Sequence, residues 1–95
     1  MLKKDSQKHI YRECRGKTGL TPSQWGHLFT LGGTGGHKEV GKKELQSGEP
    51  NSRGVNMPEA LASQLLLKLE NEGFDITAIV FSDDGLIKCF PKKVN

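Results

Sequence analysis

Apolar positions recur at helical spacing in four places along this chain, and the period changes near its end. In residues 5–16, DSQKHIYRECRG, Ile10 and Cys14 lie four apart with Tyr11 beside them, which predicts a first helix. Asp5 or Ser6 can cap it, and Gly16 and Gly19 close it. Trp25, Leu28 and Phe29 follow at i, i+3 and i+4, the inward face of a second helix. Its start is marked by Thr21-Pro22-Ser23-Gln24. Thr21 and Gln24 are spaced for reciprocal capping, and Pro22 falls at the first helical position, where no N–H is needed. Trp25 is expected in the core. Gly26 costs a helix about 1 kcal/mol relative to Ala, so it is expected to be exposed or at a close helix crossing.

The segment Leu31–Gly36 reads as a turn, because four glycines in five residues cannot form a helix interior. A third helix is predicted from about His37 through Val40, Glu44 and Leu45 to Gly48, with Val40 and Leu45 its only clear apolar anchors. Residues 48–56 are loop-like. Asn56-Met57-Pro58-Glu59 opens a fourth helix, in which Leu61, Ala62, Leu65, Leu66 and Leu69 form the strongest amphipathic stretch. That stretch is the expected centre of the core, and Gly73 stops it. In the tail, Ile76–Phe81 and Leu86–Phe90 flank an Asp83-Asp84-Gly85 turn, which predicts a two-stranded hairpin. The expected architecture is mainly α with a small β element: one domain with a bundle of four or five helices over about 5–73 and a C-terminal hairpin over about 75–91.

Charge adds a direction. Residues 1–53 carry ten Lys/Arg against five acids, and residues 54–95 carry four Lys against six, so the net +3 is +5 in the first part and −2 in the second. A positive half that contains a helix, a tight turn and a lysine-rich helix favours a polyanion partner. No apolar run approaches the ~20 residues a membrane helix needs. MLKKDSQKH lacks the apolar stretch of a secretory signal, so a cytoplasmic location is expected.

Other chemistry finds little support. GGTGGHK fails as a phosphate loop, since Glu39 stands where Ser or Thr must follow the lysine and a predicted helix precedes it. Cys14 and Cys89 form no ligand spacing with each other or with His9, His27 and His37, so reduced thiols and no metal site are expected. Glu39, Glu44 and Glu49 are interleaved with lysines as ordinary surface partners. Neither an enzyme nor a cofactor or small-molecule site is indicated.

The order of elements resembles the lambda-repressor-like helix–turn–helix DNA-binding domains over about residues 7–70. HIYRECRGKTGLT is similar to the family's first helix and its link, and LTPSQWGHLFTL to its second helix, with Trp25-Gly26 at the usual Leu-Ala pair. VGKKELQSGEP is similar to the third helix and its exit, and MPEALASQLLLKL to the following core helix. Departures are a longer, glycine-rich turn, Gln46 for the usual Glu, Gly26 for Ala, and Val40 further upstream than the pattern wants. The resemblance implies a lambda-repressor-like bundle that binds double-stranded DNA sequence-specifically, as a small transcriptional regulator of phage, plasmid or bacterial type. The candidate DNA contacts are Gln24, Thr34, His37, Lys38, Lys42 and Lys43, with Ser23 and Arg53 as weaker phosphate candidates and Glu39 as a tuner of base choice. It also implies a homodimer, for which the C-terminal hairpin is the expected surface. The competing reading is a protein–protein module, an antitoxin or an inhibitor, built on the same scaffold.

Overall fold

A computed structural model describes residues 4–30, 36–46 and 48–94. Four helices, α1 (Lys4–Thr18), α2 (Pro22–Phe29), α3 (Gly36–Glu44) and α4 (Met57–Asn71), precede a 3₁₀ turn (Ile76–Ala78) and an antiparallel pair, β1 (Val80–Phe81) and β2 (Ile87–Cys89). The chain is thus mainly helical with a small two-stranded sheet. α2 packs on α3 and α1 runs along α4.

Both predicted capping boxes form. Thr21 Oγ1 accepts from the Gln24 N–H at 3.2 Å while Gln24 Oε1 accepts from the Thr21 N–H at 3.0 Å. Asn56 and Glu59 do the same at the head of α4. α1 extends past its expected end at Gly16 to Thr18, and the left-handed Gly19 (φ 75°) turns the chain toward α2. α3 is shorter than the sequence suggests and stops at Glu44 instead of running to Gly48.

The core is centred elsewhere than expected. Tyr11, Trp25, Val40, Ala60 and Ile76 are each almost wholly buried, whereas Leu65 of α4 is 54% exposed. Tyr11 meets the edge of Trp25 with ring centroids 6.0 Å apart, and Phe29 completes the cluster at 5.7 Å from Tyr11 and 5.3 Å from Trp25. The reason lies in the distribution of residues around α4. Its leucines occupy more of the circumference than one neighbour can cover. α4 buries the face bearing Ala60 and Ser63, small residues that allow close helix packing. Leu65 lies about 200° around the helix from Ser63, which carries it outward. Ser63 satisfies its buried hydroxyl by donating to the Glu59 carbonyl at 2.8 Å.

The tail also departs from a simple hairpin. Ile76–Ala78 is a helical turn, capped by Asp75, whose carboxylate accepts from the Thr77 N–H at 3.1 Å and from its hydroxyl at 2.6 Å. In a strand, Ile76 and Ile79 would point to opposite faces. In a 3₁₀ turn residues three apart eclipse, and here Ile76 and Ile79 both enter the core. β1 pairs with β2 through Val80↔Cys89 and Phe81↔Ile87, with an irregularity between. An isolated bridge, Phe74↔Lys92, and the bond from the Lys93 N–H to Gly73 O (2.8 Å) close the base. Both thiols are free; Cys14 is buried and Cys89 exposed.

Candidate nucleic-acid interface

The geometry of the α2–α3 pair follows from two glycines. A Cβ built on Gly26 would lie 2.6 Å from Gly36 O and 2.7 Å from His37 N, and one built on Gly36 would lie 2.5 Å from Gly26 O. The middle of α2 therefore rests directly on the backbone that begins α3. No residue with a side chain fits at either position without the helices moving apart. Of the two readings the sequence left open for Gly26, the close crossing is the one found.

That contact, with the buried Val40, fixes which side of α3 turns outward. His37, Lys38, Glu39 and Gly41 are exposed, and Lys42, Lys43, Glu44 and Leu45 are half-buried. Lys42 lies 3.8 Å from Glu39, a loose exposed pair. Lys43 is engaged more closely: its ammonium pairs with Glu59 at the start of α4, with both side chains about one-fifth exposed. Lys42 and Lys43 are neighbours in sequence, yet Lys42 keeps more of its side chain in water and pairs only loosely, while Lys43 braces α3 against α4.

No family model, curated protein or solved structure matches the chain.

The remaining candidates divide into two groups. Lys42 and Arg53 border one depression of about 170 Å³ together with Asn51 and Ser52, and the Arg53 N–H donates to Lys42 O at 3.0 Å. Ser23 and Gln24 border a different depression of about 300 Å³, shared with His27, Leu28 and Thr77. Gln24 Oε1 is committed to the capping box at the head of α2. Thr34 lies outside the described residues.

Two charged residues not anticipated as functional hold α3 in place. Lys8 of α1 is only 7% exposed. Its ammonium donates to Lys43 O at 2.5 Å, to Arg53 O at 2.6 Å and to Ser52 Oγ at 3.4 Å. It thereby satisfies a carbonyl at the C-terminus of α3 and complements the negative end of the helix dipole. Burial, with the nearby Arg12, pushes its pKa below that of an ordinary lysine. Arg15 grips the Glu44 carboxylate with two nitrogens, Nη2 at 2.8 Å from Oε2 and Nε on the other oxygen, and donates to Leu20 O at 2.9 Å. This pairing raises the Arg15 pKa further. The available signal was positional: Lys8 and Arg15 share the helical stripe of the buried Tyr11, at i−3 and i+4. A cation in such a stripe must find acceptors within the protein, and here the acceptors are the last turn of α3 and the loop that follows.

The surface so held offers hydrogen-bond donors and positive charge. Among the described residues, no group of three or more His, Cys, Asp or Glu side chains is placed to hold a metal ion. No described helix is long and apolar enough to cross a membrane.

Proposed function

We propose that this chain binds double-stranded DNA as a small helix–turn–helix transcriptional regulator, presenting the first turns of α3 to the major groove. The observation that carries this reading is the Gly26–Gly36 backbone contact, which seats α2 on the start of α3 and leaves His37, Lys38 and Gly41 facing solvent. A recognition helix needs this arrangement, with its first turns supported from behind and clear in front. In this reading His37 and Lys38 reach base edges, and Lys42 and Arg53, which border one depression, meet the phosphates. Lys43 supports the helix through Glu59 rather than touching DNA. Ser23 and Gln24 supply backbone contacts from the head of α2.

The test is a fluorescence-anisotropy titration with random duplex DNA at several salt concentrations, followed by selection of a preferred site. Affinity is expected to fall linearly with salt on logarithmic axes. His37→Ala and Lys38→Ala are expected to cost ~1–3 kcal/mol on the selected site and much less on random duplex. Wild-type affinity in both variants on both duplexes would overturn the recognition-helix assignment. Failure of the folded chain to bind any duplex would overturn the reading as a whole and favour the protein–protein alternative.

A further inference from the structure

Two depressions of opposite character adjoin at one buried side chain. The first is a groove of about 340 Å³ between α2, α4 and the hairpin, bordered by Phe29, Leu66, Leu69, Phe81 and Phe90 among others, and every described residue on its border is apolar. The second is the depression of about 300 Å³ on the outer side of α2, bordered by Ser23, Gln24, His27 and Thr77. Leu28 borders both. The tail supplies a second link, since Ile79 borders the groove and Thr77, two residues earlier, borders the polar depression. The 3₁₀ turn that sends Ile76 and Ile79 into the core leaves Thr77 exposed. Small-molecule sites have this composition: ~300–1,000 Å³ with a mostly apolar wall and a few polar groups that fix orientation. The groove alone lacks the polar groups, and the depression alone lacks the wall.

We infer that the two depressions form one binding site for a small amphipathic molecule, with its hydrocarbon body in the groove and an uncharged, hydrogen-bond-accepting head at Ser23, Gln24 and His27. The groove selects the body. A polar or charged group placed there would lose water and gain no partner, whereas a hydrocarbon loses nothing. The depression selects the head. Ser23 Oγ and the Gln24 amide nitrogen have no hydrogen-bond partner among the described residues, because the capping bonds of Gln24 use Oε1. Both groups can donate. The Thr77 hydroxyl is already committed as a donor to Asp75 at 2.6 Å, so the Asp75 carboxylate stands beside the depression. The bonds from Thr77 hold the Asp75 carboxyl below the usual carboxylate range. A carboxylate or phosphate head would meet that negative charge, whereas an amide or ester carbonyl meets the donors without the repulsion. Among the described residues, none of α3 borders either depression.

NMR titration of the full chain with octanamide, toluene and octanoate tests this. Octanamide carries both parts, toluene only the body, and octanoate an anionic head in place of the amide. Octanamide is expected to bind with a Kd below about 2 mM. It should shift the methyl signals of Leu66, Leu69 and Ile79 together with the backbone amides of Ser23 and His27. Toluene should shift only the methyl signals, and octanoate should bind several-fold more weakly than octanamide. Ser23→Ala, at an exposed position, should weaken octanamide binding by about 2–10-fold, the worth of one hydrogen bond, and leave toluene binding unchanged. Leu65→Asp, on the border of the groove and already more than half in water, should abolish binding of both with unchanged circular dichroism. Absence of octanamide binding, an octanamide affinity that ignores Ser23→Ala, or octanoate binding as tight as that of octanamide would each overturn the inference. Methyl signals that move with protein concentration alone would also overturn it, by giving the groove to a second copy of the chain. Ser23 and Gln24 also stand in the DNA reading, so the titrations are made without duplex, and failure here leaves that reading in place.

Discussion

Gly26 and Gly36 touch through their backbones, so closely that a Cβ on Gly26 would stand 2.6 Å from the Gly36 carbonyl oxygen. Backbone cannot swing aside as a side-chain tip can. Gly26→Ala is therefore expected to destabilise the fold by ~1–3 kcal/mol, although alanine is the better helix former. Gly16 and Gly41, also within helices, have open space where a methyl group would stand, with nothing within 4 Å. Gly16→Ala and Gly41→Ala are expected to stabilise by ~0.5–1 kcal/mol. Urea melts of the three variants check the opposite signs, and a neutral or stabilising Gly26→Ala would refute the crossing.

Lys8 ties α1 to the end of α3 and to Arg53. Lys8→Met keeps the aliphatic stem and removes the charged donor, leaving Lys43 O and Arg53 O without it. A cost of about 2–3 kcal/mol is expected. Exchange of the amides near the C-terminus of α3 is expected to rise more than exchange in α4. A uniform rise across the molecule would count against a local clamp.

Lys42 and Lys43 are expected to separate experimentally. Lys42→Ala should leave the melting temperature nearly unchanged and shrink the salt slope of duplex binding by about one unit. Lys43→Ala should do the reverse, because it leaves the Glu59 carboxylate without its cation. Equal salt slopes in the two variants would show that both, or neither, meet phosphate.

Leu28, 7% exposed, and Leu65, 54% exposed, test where the core lies. Leu28→Ala is expected to cost ~2–5 kcal/mol, and Leu65→Ala about 1 kcal/mol or less. The order would reverse if the leucines of α4 formed the centre.

Burial pushes the Tyr11 phenol up to about 12. An unfolded tyrosine titrates near 10, so from about pH 10 to 12 the folded state holds a proton that the unfolded state releases. Stability from this group is therefore complete below about pH 10 and is lost as pH rises through 12, on the order of 3 kcal/mol in all. Tyr11→Phe lacks the titration. The stability difference between wild type and variant should shift by about 1–2 kcal/mol in the variant's favour between about pH 9 and pH 11. A pH-independent difference would mean that the hydroxyl is solvated.

Local rules sufficed for the start of two helices and for much of the helical order. Thr21 and Gln24, and Asn56 and Glu59, each carry their capping partner three residues away, so the bond geometry is written within one turn. The spacing of Trp25 and Leu28 likewise assigned an inward face that the fold uses. What local rules could not rank were competing apolar faces. α4 has leucines on several sides, and the face it buries is the one with the small Ala60 and Ser63, in a helix packed chiefly along α1, a choice that the sequence of α4 does not contain. Ile76–Phe81 has β-branched composition, yet the core required Ile76 and Ile79 on one side, and a 3₁₀ turn supplies that where a strand does not. The end of α3 at Glu44 depends on Lys8 and Arg15, some thirty residues earlier. The sequence by itself determined the caps, the Asp83-Asp84-Gly85 turn and the uneven charge, because those depend on neighbours a few residues apart. Only the tertiary structure decided which cations are spent holding α3 and which face solvent, because a charge is committed by whichever acceptors the folded chain brings within reach.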